Sequence, residues 1–234
     1  MRRGLASLAI AAFAMLVVLS GLDRLAGQRQ GAGQAMLMPL RSEAWVAEAA
    51  QMLGAGRFAE AEAAAMRAIA SDPLDRRGAA FLGAARTMQG DTTGAQAAFK
   101  VADRLSRREP LTQAYFFGVA LEAGDYAAAA GRIDTLLRTH PQFAPVQTYL
   151  AQLGRTTGGR AVLLQRVASD PRWAGAYLDG YAVDEAALRE RARTLAGGGI
   201  PCPALAPFLR NLEERGLAED AATLRARACP RQDG

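Results

Sequence analysis

Apart from its carboxylates, the chain has few residues of the types that act as bases in catalysis. Among its 234 residues there is one histidine, His140, and one lysine, Lys100. A catalytic nucleophile needs such a base within hydrogen-bond reach, and neither residue stands in a recognisable motif. The sequence therefore predicts a protein that is not an enzyme and that holds no cofactor and no metal ion.

Two segments have the composition of ligand-binding loops but lack their patterns. The glycine-rich segment LAGGGIP, residues 195–201, lacks the Lys-Ser/Thr pair of a phosphate-binding loop. The acidic segment DGYAVDE, residues 179–185, lacks the spacing of a calcium loop. We interpret the first as a linker between helices, and the second as the end of one helix and the cap of the next. A carboxylate pair for glycoside chemistry stays open, because any two acids can converge in a fold.

The two cysteines, Cys202 and Cys229, flank a segment that reads as two helices turning at Gly216. In an antiparallel pair, the start of one helix lies beside the end of the other. Disulfide geometry needs Cα atoms about 4.4–6.8 Å apart, which such a pair supplies. We predict a structural disulfide, a bond that persists in exported proteins; two free thiols are the alternative, and no C-x-x-C motif supports a metal or redox pair.

The chain begins with two arginines and an apolar run from Gly4 to Leu22. This length nearly matches the hydrocarbon core of a bilayer, about 30 Å, and the preceding charge favours a cytoplasmic N-terminus. We predict a signal anchor at residues 1–22, which leaves a single-pass inner-membrane protein with a periplasmic body. The alternative is a cleaved signal peptide and a soluble periplasmic protein. Residues 23–40, rich in Gly and Gln, are predicted to be a flexible linker.

The composition favours helices and argues against a nucleic-acid partner. Half of the residues are apolar, only 6% are aromatic, and no segment shows the alternation of a strand, so the predicted fold class is all-α. The net charge is +5. Because arginines such as Arg104, Arg107 and Arg108 are interspersed with acids and lack aromatic neighbours, we interpret them as solvated helix faces rather than a site for nucleic acid or anionic lipid.

A period of 34 residues organises the middle of the chain. Small residues recur at this spacing: Gly56, Gly90 and Gly124; Ala61, Ala95 and Ala129; Ala68 and Ala102. The spacing predicts two helices per unit, joined at the glycine, which adopts the left-handed backbone that ends a helix. The segments SDP and THP, at Pro73 and Pro141, end the second helix because the residue before a proline leaves the α region.

These features resemble the tetratricopeptide repeat (TPR) family, whose unit is a helical hairpin with a set pattern of tryptophan, small residues, glycine, aromatic and proline. The first unit carries the whole pattern: Trp45, Ala49, Gly56, Phe58, Ala61, Ala68 and Pro73. The second unit departs from it at Thr92 and Arg107, and the third at Phe117 and Leu136. The resemblance covers residues 42–143 and implies a TPR-type helical-hairpin solenoid.

The predicted array spans residues 41–171, with three full units and one degenerate unit. In the fourth unit, Ala151 and Gly158 keep the register, and the second helix, around residues 160–169, is expected to be short. Residues 172–234 are predicted to be a C-terminal helical cap, since terminal repeats diverge where their outer face meets water.

The resemblance also implies a binding groove, because the first helices of such a stack line its concave surface. The positions that would face this groove are Glu43, Val46, Ala50 and Leu53, then Arg77, Ala80, Ala84, Thr87 and Met88, then Leu111, Ala114, Gly118, Leu121 and Glu122. This lining is mostly small and apolar, and it lacks the Lys/Asn set with which some relatives hold a peptide carboxylate. The expected ligand is an apolar or amphipathic helix, or an extended protein segment, and no small-molecule substrate is expected.

The sequence thus predicts a non-catalytic, membrane-anchored periplasmic TPR scaffold or adaptor. Its partners would be proteins of a bacterial envelope assembly, and residues 4–22 would hold it in the membrane. Two alternatives stay open: a fixed structural subunit of one membrane complex, and a periplasmic enzyme or sugar-binding solenoid related to polysaccharides.

Overall fold

The structure, a computed structural model, describes residues 42–178 and 184–229. Within these ranges the chain forms twelve α-helices and no strand, which confirms the all-α class for this part. The predicted anchor and linker lie outside the described residues. None of the described helices has both the length and the apolar character that a membrane span requires.

The chain divides into two compact units at Thr112. The described helices of the first unit are α1 (Ser42–Gly54), α2 (Phe58–Ser71), α3 (Arg76–Gln89) and α4 (Thr92–Leu105). Helix α5 (Pro110–Glu122) contains the boundary. The described helices of the second unit are α6 (Tyr126–Thr139), α7 (Val146–Gly154), α8 (Thr157–Ser169), α9 (Pro171–Leu178), α10 (Glu185–Leu195), α11 (Cys202–Glu214) and α12 (Ala218–Ala228).

The repeated glycines form the turns between paired helices, as the 34-residue period predicts. Gly56, Gly90 and Gly124 have φ angles of 73°, 82° and 72°, a left-handed backbone that glycine adopts without a steric penalty. The residue after the second and third of these glycines is an aspartate. Asp91 and Asp125 accept hydrogen bonds from the backbone N–H groups three residues later and so cap α4 and α6.

The second helices end where the sequence predicts. Helix α2 ends at Ser71, before Pro73, and α6 ends at Thr139, before Pro141. Helix α4 also ends at the equivalent place, Leu105, although no proline follows it. Ser106 is extended there, so the proline reinforces this helix end but is not required for it.

Within a hairpin, a small residue on the first helix leaves room for a side chain of the second. In the second hairpin, Gly83 lies against the ring of Phe99, and a Cβ at Gly83 would be 2.8 Å from two ring carbons. The equivalent pairs in the neighbouring hairpins, all of them buried, are Ala49 with Ala65 and Phe117 with Ile133. The departure from the TPR pattern at Phe117 therefore falls at a position where the size of the residue varies from one hairpin to the next.

The fourth hairpin differs from the prediction. Gly158 keeps the register of the turn glycines but lies in the first turn of α8, where a Cβ would be 2.5 Å from the ring of Tyr126. The turn falls earlier, at Thr156, whose side chain accepts a hydrogen bond from the N–H of Gly159. Because α8 begins early, it has 13 residues, and the expectation of a short second helix is wrong. The short helix is α7, with 9 residues.

The C-terminal helices follow the sequence-based expectation. Asp184 caps α10 by accepting a hydrogen bond from the N–H of Ala187, and the glycine-rich segment connects α10 to α11. Helices α11 and α12 turn at Gly216, which has a φ of 77°. Cys202 and Cys229 form a disulfide with Cα atoms 5.2 Å apart, so the predicted pairing closes the open end of this hairpin.

We predict that Gly83→Ala lowers the free energy of unfolding by about 1–3 kcal/mol, because the added methyl group overlaps the Phe99 ring. Gly131→Ala is the control: a Cβ there meets nothing within 4 Å, and replacing a helical glycine stabilises by about 0.5–1 kcal/mol. Urea unfolding followed by circular dichroism measures both. Equal effects at the two positions would contradict the packing assigned to Gly83.

We also predict that replacing both cysteines by serine (C202S/C229S) destabilises the C-terminal hairpin. The disulfide closes a loop with a sequence separation of 27, and releasing a loop of this size costs about 3–4 kcal/mol in the chain-entropy description. Hydrogen exchange of α11 and α12 should rise in the variant and, equally, in the reduced wild-type chain. Unchanged exchange in both would argue against a stabilising role.

Candidate partner-binding site

The predicted groove residues of α1 and α3 divide between core and surface. Val46 and Ala80 are buried in the core and offer no surface to a ligand. The exposed members of the set are Ala50, Thr87 and Met88, and the half-buried members are Glu43, Leu53, Arg77 and Ala84. A ligand on this face would therefore meet a discontinuous subset of the predicted positions.

The predicted residues on α5 are distributed over both units. In the first unit, Leu111 packs against the cluster of Ala79, Ala80 and Ala102. The members in the second unit are Ala114, Gly118 and Leu121, which are half-buried, and Glu122, which is exposed.

Two predicted residues, Glu43 and Arg77, are joined to each other. Arg77 Nη1 donates to Glu43 Oε2 at 2.9 Å, and Arg77 Nε donates to both carboxylate oxygens of Asp75 at 3.0 Å. Glu43 and Arg77 are one repeat apart, so this contact ties α1 to α3. Burial opposes the ionisation of Asp75, but the hydrogen bonds from Arg77 hold its pKa below the usual value. These charged groups are engaged in holding the two hairpins together.

A cleft of about 840 Å³ opens beside α7 in the second unit, a volume within the usual range of ligand sites. Among the described residues, the cleft is also lined by the end of α6, the loop after α6, helix α9 and the start of α10. Its main apolar residues are Leu137, Phe143, Val146, Ala151 and Ala176. None of the predicted groove residues lines this cleft.

Besides Gln147, three polar residues of α7 and its C-cap line the cleft: Thr148, Gln152 and Arg155. They lie three repeat lengths after Val46, Ala50 and Leu53, which are three of the predicted groove positions. The prediction stopped at the third unit because the fourth is degenerate. Extending the same register by one unit would have found these residues.

Gln147 also lines the cleft, and its side chain connects the cleft walls. Its Nε2 donates to the Ala176 carbonyl at 3.1 Å, and its Oε1 accepts from Arg191 Nη2 at 2.6 Å. Arg191 is buried and also donates to the Tyr177 carbonyl at 2.8 Å. These bonds connect α7, α9 and α10. Burial raises the pKa of Tyr177 to about 12, so its phenol stays neutral.

The start of α9 is held in a second way. Asp170 ends α8 and also accepts a hydrogen bond from the backbone N–H of Arg172 at 2.9 Å, so one residue serves both helices. The fully buried Trp173 donates from Nε1 to Asp134 on α6 at 3.2 Å. The cleft wall that α9 forms is therefore fixed at both of its ends.

Among the described residues, the cleft is lined by polar side chains and by one carboxylate, that of Asp184. Its described lining contains no histidine, cysteine or lysine. His140 caps the end of α6, with Nδ1 2.8 Å from Thr139 Oγ1, and does not line the cleft. Over residues 42–178 and 184–229, no group of three His, Cys, Asp or Glu side chains is placed to hold a metal ion. In contrast, Thr148, Gln152 and Arg155 make no side-chain hydrogen bond to another described residue, which leaves their donors for a ligand.

Comparisons with known proteins do not supply a function for the chain. No protein-family model matches it, and a search of the curated proteins finds no match. The repeat spacing and the cleft are therefore the features from which a function can be inferred.

We predict that Asp75→Asn and Asp75→Ala separate the two roles of this carboxylate. Asp75 Oδ1 accepts a hydrogen bond from the backbone N–H of Arg77 at 2.9 Å and so caps α3. Asparagine keeps this cap and loses the charge pair, whereas alanine loses both, and the cap is worth about 0.5–2 kcal/mol. The pKa of Asp75 is lowered in the folded state, so its stabilisation is present at neutral pH and is lost as pH falls through the folded pKa. Urea unfolding between neutral pH and about pH 3 should show a weaker acid dependence in the asparagine variant. An unchanged acid dependence would contradict the role of the charge.

Proposed function

We propose that the chain is a non-catalytic, membrane-anchored periplasmic scaffold of the TPR type. In this proposal it binds a segment of another envelope protein in the cleft beside α7. The observation that carries the proposal is the position of Thr148, Gln152 and Arg155. They line an open cleft, and they continue the register of the groove that the repeat predicts.

The lining of the cleft indicates what kind of segment it accepts. Gln152 and Thr148 offer a carboxamide and a hydroxyl, which suit the backbone amides of a peptide. Leu137 and Phe143, both half-buried, offer apolar surface, and Arg155 offers a guanidinium for a carboxylate. A peptide segment with apolar side chains and an acidic group next to them can contact the polar, the apolar and the cationic part of this lining.

The anchor and the location in the envelope are proposed from the sequence. The apolar run from Gly4 to Leu22, preceded by two arginines, supports a single-pass inner-membrane protein with a cytoplasmic N-terminus. The disulfide between Cys202 and Cys229 supports an oxidising compartment for the body.

Site-specific photo-crosslinking in native membranes tests the cleft. A photoreactive amino acid at Thr148, an exposed cleft position, should attach a defined partner. The same amino acid at Gln165, exposed on α8, should not attach it. Arg155→Glu should weaken capture at Thr148 by about tenfold or more, since a hydrogen bond to a charged group contributes about 1.5–3 kcal/mol. Arg210→Glu, the same charge change on α11, should leave capture unchanged.

The other outcomes would each contradict the proposal. Capture that Arg155→Glu does not weaken would place the partner elsewhere. A partner that co-purifies in constant ratio despite Arg155→Glu would favour a fixed structural subunit. Recovery of the monomer alone, from Thr148 as from Gln165, would argue against a binding role for the cleft.

A further inference from the structure

The second helices of the first unit expose large apolar side chains. On α2, Met66 is 53% exposed, and on α4, Val101 is 38% exposed. Leu74, in the loop after α2, is 80% exposed. Single exposed apolar side chains are common on protein surfaces, so these gain significance only from the charges that lie beside them.

Four cations lie on or directly after the same helix α4: Lys100, Arg104, Arg107 and Arg108, all of them exposed. Their side chains form no hydrogen bond or ion pair with another described residue. No acidic residue of α4 is exposed, because its one acid, Asp103, is half-buried. The alternation of charges along the sequence therefore does not carry over to the exposed surface of this helix.

The apolar and basic residues occupy equivalent positions in successive hairpins. Met66 lies one repeat before Lys100, and Leu74 lies one repeat before Arg108. Because helix α3 packs between α2 and α4, equivalent positions on the two second helices belong to the same face of the unit. We call this set of residues (Met66, Leu74, Lys100, Val101, Arg104, Arg107 and Arg108) the basic face.

We propose that the basic face lies against the membrane surface and binds anionic lipid headgroups. Long basic side chains pair with lipid phosphates, while apolar side chains beside them enter the boundary between headgroups and acyl chains. The single, separated apolar side chains suit such shallow insertion. A protein partner would instead favour a contiguous apolar core.

The length of chain before α1 is compatible with this contact. The predicted linker, residues 23–40, would as a flexible chain span on the order of 25 Å. This distance keeps the first unit within reach of a bilayer that holds residues 4–22. In this respect the inference rests on the anchor of the proposed function, but it is independent of the cleft.

The sequence provides a probe for the test, because Lys100 is the only lysine in the chain. An amine-reactive reagent therefore labels Lys100 and the N-terminus, and mass spectrometry of the peptides separates the two. The full chain is placed in vesicles of phosphatidylcholine, with or without roughly a third phosphatidylglycerol. We expect labelling of Lys100 to slow by about fivefold or more in the anionic vesicles. High salt should restore the rate, because it screens exposed charges.

Two matched double variants test whether the arginines of the basic face cause the slower labelling of Lys100. Arg104→Gln with Arg108→Gln should abolish the slower labelling in anionic vesicles. Arg210→Gln with Arg227→Gln, an equal loss of charge at exposed positions of α11 and α12, should retain it. Labelling in detergent gives the reference rate for each variant and shows whether the substitutions themselves change the reactivity of Lys100.

Three results would overturn the inference. The first is an equal labelling rate in neutral and anionic vesicles, and the second is protection that survives Arg104→Gln with Arg108→Gln. The third is protection in native membranes but not in anionic vesicles, which would identify an acidic protein as the partner of the basic face. A chain whose residues 4–22 do not insert into the membrane gives a different result from these three. It would not float with the neutral vesicles in a density gradient.

Discussion

The close approach of paired helices depends on matching the size of one side chain on each. Gly83 can face Phe99 because it has no Cβ, and the same place is filled by two alanines in one neighbouring hairpin and by Phe117 with Ile133 in the other. Small alanines elsewhere on the second helices, such as Ala61 and Ala95, are also buried. Since protein interiors tolerate neither overlap nor voids, this pairing sets where each second helix lies. The polar contacts of each hairpin form only when its two helices lie in this arrangement.

The repeat spacing made much of the helical framework predictable. The turn glycines, the helix ends before Pro73 and Pro141, and the Cys202–Cys229 pair were all predicted from local chemistry. These features depend on a few residues close together in sequence, or on the simple antiparallel geometry of one hairpin. The sequence pattern predicts structure well where the backbone conformation depends on residues that are close together in sequence.

The turn of the fourth hairpin and the links between the helices around the cleft were not predictable in the same way. The register suggested a turn at Gly158, but that glycine lies against the Tyr126 ring, a contact between residues distant in sequence. Hydrogen bonds such as that between Gln147 and Arg191 also join helices that have no repeat relation. Likewise, the exposed surface of α4 is more positively charged than its sequence suggests. Asp103 is half-buried, while its basic neighbours are exposed. Each of these features depends on tertiary packing rather than on spacing.

The way in which α9 is held has a consequence for the thermodynamics of recognition. Asp170 joins α8 to α9 without an intervening loop, Trp173 connects α9 to α6, and Gln147 connects it to α7. The cleft walls are therefore preorganised, and binding does not require them to order. The loss of conformational entropy falls on the ligand. For the proposed protein ligand, a flexible segment would bind more weakly than the same segment already held in its bound shape by its own protein. The cleft would then discriminate between partners by their rigidity as well as by their chemistry.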